Sequence, residues 1–216
     1  MDTIFEERVC ALIRMLDFSD VFAAETAAIL NLPYIFEDNE TAKRLGIKDL
    51  RITSFAEMIA ISIPLSEREA LDKILKIVSA LIRTLLSEFG LTVRGGISVG
   101  KLYHDELNVF GPALQKSQKL ETEYAIYPRV VAEESDISRA LSFCSESSQQ
   151  MIFSLMPLAE DGLRELDCWK FWSADVVREC IDLLRRNHAK AGLRRRDADW
   201  LMTRLNDVLQ ECPRTD

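Results

Sequence analysis

Residues that hold transition metals are scarce in this chain. The two histidines, His104 and His188, have no partner at ligand spacing. The five cysteines, Cys10, Cys144, Cys168, Cys180 and Cys212, include no C-x-x-C pair, so neither a zinc site nor a disulfide framework of the usual spacing emerges. Unpaired thiols fit a reducing, intracellular setting. No apolar run approaches the ~20 residues that cross a bilayer, and the opening MDTIFEERVC is charged where a signal peptide would be apolar. The expectation is a soluble, cytoplasmic protein with no membrane partner. Positive charge is in deficit too, with 27 Lys and Arg against 35 Asp and Glu for a net −8. That balance repels a polyanionic backbone and argues against nucleic acid as a partner. The local basic cluster of Arg185, Arg186, Lys190 and Arg194 to Arg196 lies in a helical pattern and reads as a solvated face. Repeats, low-complexity tracts and Gly/Ser/Pro linkers are missing, so nothing marks a clean domain boundary.

What remains is a 216-residue chain, 48% hydrophobic, long enough for one good core and short for two full domains. The nearly continuous apolar run from Val9 to Leu16 predicts a central strand buried on both faces, with Arg14 conspicuous inside it. A helix is expected over VFAAETAAIL, residues 21–30, ending at Leu32-Pro33. Ile52 to Pro64 reads as two short strands around a turn at Ala56 and Glu57. The S-x-x-E of Ser66 to Glu69 has the form of a capping box for a long helix with apolar positions from Leu71 to Leu85, ended by Gly90. Leu91 to Val99 and Lys101 to His104 read as a strand pair with Gly95, Gly96 and Gly100 as bends or close approaches. Gly111-Pro112 opens a helix to about Glu123, and Arg129 to Ala132 is a short strand. From Asp136 onward the pattern is helical, with Trp169, Phe171 and Trp172 as core aromatics and a last helix from Arg196 to Leu209. This order, with helices to one side, predicts an α+β sandwich.

Several segments together resemble the class III adenylate and guanylate cyclases. They are RGGISVG at Arg94 to Gly100, the Phe110 to Glu121 run FGPALQKSQKLE, LIRMLDFSD at Leu12 to Asp20, and TSFAEMIAIS at Thr53 to Ser62. Within that family the likeness is to the bacterial Pycsar-type pyrimidine cyclases of antiphage systems. The resemblance implies a ferredoxin-like β-α-β-β-α-β core as the cyclase homology domain over 1–135. A helical extension over 136–216 would pack on the same domain.

It also implies a site. Two aspartates of the family, on the first strand and at the hairpin tip, hold Mg²⁺ or Mn²⁺ against a nucleoside triphosphate, neutralising charge as the 3′-hydroxyl attacks the α-phosphorus. Here those positions are Arg14 and Glu57. Glutamate is a metal ligand; a guanidinium is not. Three roles stay open for Arg14: an ion pair with Glu57 or another acid across the sheet, a contact to phosphate, or a bystander while Asp17 serves as metal ligand beside Glu57. The transition-state pair that a second subunit of a head-to-tail homodimer would supply maps to Gln115 and Lys119, one helical turn apart. Base-selecting positions map to Thr53 and Asn108, and Arg94 is a further phosphate or base contact. Arg14 in a metal ligand's place makes cyclase activity uncertain.

Overall fold

The computed structural model describes residues 4–16, 43–188 and 195–211; the helix expected over 21–30, Cys212 and the metal candidate Asp17 lie outside them. A mixed sheet runs in the order β2-β3-β1-β4-β6-β7, with β1 Glu6–Met15, β2 Arg51–Phe55, β3 Met58–Pro64, β4 Val93–His104, β6 Val130–Ala132 and β7 Arg164–Glu165. β5 Val109–Phe110 pairs with the end of β4 alone. Neighbours are antiparallel except β4 with β6, and β1 is central, as its apolar run predicts.

Period-two alternation divides β1 between two faces. Val9, Ala11, Ile13 and Met15 point into the main core under α1, Ala70–Phe89, whose Leu71, Ile74, Leu75, Val78 and Leu81 recur at helical spacing. Gly90 ends α1 in the left-handed conformation, φ 65°, which a residue without Cβ adopts at no steric cost. The helix start differs from the capping-box expectation. Ser66 and Glu67 lie in the preceding turn, and Glu69 makes no cap bond but accepts from the Ser145 N–H across to the next layer.

The other face of β1 carries Arg8, Cys10, Leu12 and Arg14, and α2, Pro112–Lys119, lies on it. Helices therefore cover both faces of the sheet, a correction to the one-sided sandwich. The reason is a strip of small residues on β4. A Cβ built on Gly96 would come within 2.3 Å of the Ser117 carbonyl and 2.6 Å of Leu120 Cβ, so the helix backbone rests directly on the strand. Ser98 Oγ donates to the Ala113 carbonyl (2.7 Å), and Ser117 Oγ is 3.1 Å from the Cys10 carbonyl. Gly100 makes no bend. β4 is one continuous strand through it, and the reversal falls at Asp105 to Asn108, where Asp105 Oδ1 accepts from the Leu107 and Asn108 N–H groups.

Beyond β6 the chain is mainly helical: α3 Glu134–Leu141, α4 Glu146–Leu155, α5 Ala174–His188 and α6 Arg195–Glu211. It also supplies β7, so the extension contributes an edge strand to the sheet. Trp169 and Trp172 are buried as expected, but Phe171 is 53% exposed. All three sit in or beside the 3₁₀ turn Cys168–Phe171, where residues three apart share a side and Phe171 falls opposite the two tryptophans. Trp200 of α6 stacks on Tyr127 at 5.4 Å, a packing contact. Cys10, Cys144, Cys168 and Cys180 are free thiols, and no described helix is long and apolar enough to cross a membrane.

Candidate functional site

Of the predicted residues, Arg14, Arg94 and Thr53 lie on the α2 face of the sheet, in cross-strand rows fixed by register. One row reads Phe55, Met58, Arg14, Arg94, and the next reads Thr53, Ala60, Leu12, Gly96. Arg14 and Arg94 are thus direct neighbours on an antiparallel ladder. Like charges so placed repel. The chain resolves the conflict with a residue not singled out from the sequence: Glu121 Oε1 accepts from Arg14 Nε at 2.8 Å and from Arg94 Nε at 2.7 Å. Its side chain has no exposed surface, and Oε2 is buried with no hydrogen-bond partner.

Glu121 reaches this spot by local helix geometry. Ala113, Ser117, Leu120 and Glu121 have i, i+4, i+7, i+8 spacing and form the buried stripe of α2 and its continuation. The continuation, Leu120–Tyr124, is a single turn of π-helix. Such turns redirect side chains and recur at functional sites.

Glu57 sits at the two-residue tip between β2 and β3, where Ala56 has φ 51°. Its carbonyl accepts from Met15 N–H (2.8 Å), locking the tip to the end of β1. Its half-exposed carboxylate lies 3.7 Å from Arg14 Nη1. Both acids near Arg14 therefore face a guanidinium, and among the described residues no group of three His, Cys, Asp or Glu is arranged to hold a metal ion. A guanidinium at Arg14 donates hydrogen bonds and ligates no cation, so this first-strand position does not fit a two-ion site.

The other candidates are dispersed around this centre. Gln115 and Lys119 share the exposed side of α2, Lys119 Nζ being 3.9 Å from Glu123. Lys116, on the adjacent side, is bound to Glu133 (2.7 Å) and Asp136 (2.9 Å). Asn108 is exposed in the β4–β5 turn, its side chain 3.3 Å from Asp105 Oδ1.

Thr53 belongs to a buried polar network that sequence reasoning missed. His104, 7% exposed, has Nε2 3.0 Å from Thr53 Oγ1 and Nδ1 2.8 Å from Ser62 Oγ. Ser62 Oγ also accepts from Arg8 Nε (2.9 Å), so the hydroxyl links the guanidinium to the imidazole. A lone histidine at a strand end gave no sequence signal for this.

Burial, reinforced by the charges of Arg8 and Arg51, lowers the His104 pKa to about 4. The unfolded chain binds this proton near pH 6.5 and the folded chain only near pH 4. The stabilisation from a neutral His104 is therefore complete above about pH 6.5 and is lost as pH falls toward 4, roughly 3 kcal/mol in all. Thermal melts from pH 7 to 4 will show the wild type losing stability more steeply than His104→Gln; parallel curves would mean that His104 is protonated in the fold.

No protein-family model and no curated protein sequence matches the chain. Solved structures do. The monomeric guanylyl cyclase domain of the RhoGC fusion protein from the aquatic fungus Blastocladiella emersonii aligns with TM-score 0.53 and 14% identity, covering 76% of this chain and 95% of that one. The catalytic core of a rhodopsin-guanylyl cyclase with converted specificity, in complex with ATPαS, aligns at 0.46 and 15% identity, covering 74% and 93%. The adenylyl cyclase CyaB from P. aeruginosa aligns at 0.44 and 13%, covering 64% and 81%. At 14% identity the likeness to the fungal domain is one of fold: the chain has the α+β fold of class III cyclase catalytic domains.

Proposed function

We propose that this protein binds a nucleoside triphosphate on the α2 face of its sheet and cyclises it weakly or not at all, within a Pycsar-type antiphage signalling system. The observation that carries this reading is the position of Arg14: a guanidinium stands on the first strand beside the hairpin tip, where two-ion chemistry requires a carboxylate. Thr53 and Asn108 are the proposed base contacts. Arg14 and Arg94 are the proposed phosphate contacts, and Gln115 and Lys119 are offered to the site of the other subunit in a head-to-tail homodimer. Glu57, with Asp17, is left as the means of holding any Mg²⁺ or Mn²⁺ that accompanies the nucleotide.

Incubation of the protein with each of the four ribonucleoside triphosphates and Mn²⁺ is expected to give at most a trace of cyclic product above a heat-inactivated control, while calorimetry detects binding of at least one nucleotide. A cyclic pyrimidine product that Glu57→Ala abolishes would establish a working cyclase instead, acting on CTP or UTP.

A second reading is favoured by the pairing of both Arg14 and Arg94 with Glu121 inside the fold: a non-catalytic dimerisation partner of an active cyclase. It predicts no heat and no thermal shift with any triphosphate.

A further inference from the structure

Glu121 leaves the two arginines in an unusual state. Each is bound through Nε, and both bonds converge on one carboxylate oxygen. Among the described residues, no hydrogen bond engages the terminal Nη atoms of either arginine, and the one ion pair there is the 3.7 Å approach of Arg14 Nη1 to Glu57. A guanidinium presents its bidentate phosphate-binding geometry along the Nη edges as well as the Nε edge. Binding the carboxylate through Nε fixes each side chain, and among the described residues it leaves the Nη atoms of Arg14 facing Glu57 alone and those of Arg94 toward an incoming anion.

Exposure points the same way. Glu121 is wholly enclosed, whereas the side chains of Arg14 and Arg94 are 23% and 19% exposed, so what solvent or a ligand meets is arginine and not the carboxylate that aligns it. The three charges sum to +1. Glu57 is half exposed and able to turn away, but Glu121 cannot leave without unpacking the π turn.

We infer that Arg14 and Arg94, aligned by the buried carboxylate of Glu121, form a clamp for phosphoryl oxygens that takes the place of divalent ions, so that a triphosphate binds here without Mg²⁺ or Mn²⁺. The inference rests on the triphosphate-binding reading and specifies how that site works. Arg14 and Arg94 are ligand contacts; Glu121 is a positioning residue that acts through them. The poor fit of the first-strand position to a two-ion site is then the expected companion of this arrangement, because a second pair of positive charges beside two guanidiniums would be repelled.

The test uses the full chain, inorganic tripolyphosphate as probe and an excess of EDTA, followed by the same titration with Mg²⁺. Calorimetry is expected to give binding in EDTA that Mg²⁺ does not improve. An arginine-specific dicarbonyl reagent, read residue by residue by mass spectrometry, is expected to label Arg14 and Arg94 and to be blocked at both by tripolyphosphate in EDTA. Replacing either arginine by glutamine weakens binding at least about tenfold, the loss of one charge-assisted contact. Glu121→Gln is expected to keep the circular dichroism of the fold yet lose protection at both arginines, a result that a purely structural role would not give.

Binding or protection seen only with Mg²⁺ or Mn²⁺ overturns the clamp and leaves the triphosphate-binding reading standing. Heat in EDTA without protection at these two arginines also overturns it. Silence with and without metal, for tripolyphosphate and for all four nucleotides, overturns both. Should the variants fail to fold, the wild-type titration and footprint decide alone.

Discussion

Glu121→Ala is expected to lower the midpoint of thermal unfolding by about 6–12 °C. Breaking a buried ion pair by removing one partner costs about 3–5 kcal/mol, and the lower end applies because Arg14 and Arg94 keep about a fifth of their side chains in water. In a chain of this size each kcal/mol moves the midpoint by about 2–4 °C. The loss arises because two guanidiniums then face each other across the β1–β4 ladder with no buried counter-charge between them, only the half-exposed Glu57 beside Arg14. Arg94→Met in the Glu121→Ala background should therefore raise the midpoint again, since it removes one of the two repelling charges. A Glu121→Ala midpoint within a degree of wild type, or further loss on adding Arg94→Met, would show that the carboxylate does not hold these arginines.

The second large effect lies in the strand beneath. Gly96→Ala forces a Cβ to 2.3 Å from the backbone oxygen of Ser117, and that oxygen belongs to a helix, not to the flexible end of a side chain. α2 must lift off the sheet, at a cost of about 3 kcal/mol, the upper end for overpacking. Lifting α2 also withdraws Glu121, so triphosphate binding should fall with stability. Gly100 lies on the same strand and face, yet its added Cβ would meet Ala113 at 3.7–3.9 Å, ordinary contact. Gly100→Ala is expected to leave stability unchanged or raise it by about 0.5–1 kcal/mol through the unfolded chain. Equal behaviour of the two variants in denaturant melts would refute the claim that α2 rests on Gly96.

These two residues mark where the sequence stopped being readable. The central strand, the hairpin around Ala56 and Glu57, the long helix ended by Gly90 and the Pro112 helix start follow from apolar spacing and turn chemistry, which are local. The covering of both faces was not local. It depends on Gly96, Ser98 and Gly100 sharing one side of β4, and a bend reading of Gly100 hid that.

Arg14 stood out inside an apolar run, and Glu57 followed from the hairpin. Glu121 did not, because an acid near the end of a helix reads as solvated. The available signal was its place at i+8 from Ala113 on a stripe with Ser117 and Leu120. Even so, only register sets Arg94 opposite Arg14, and only the π turn aims Glu121 between them. The His104 network was out of reach for a similar reason: Thr53, Ser62 and Arg8 come from three strands, and no spacing along the chain connects them.

The most direct measurement is a crystal structure with a non-hydrolysable triphosphate and Mn²⁺, read at the manganese edge. Phosphoryl oxygens on the Nη atoms of Arg14 and Arg94, with Glu121 still buried between the two Nε atoms and no manganese peak beside it, is the expected result. Manganese ligated jointly by Glu57 and Glu121, with Arg14 turned away from the sheet, would contradict it.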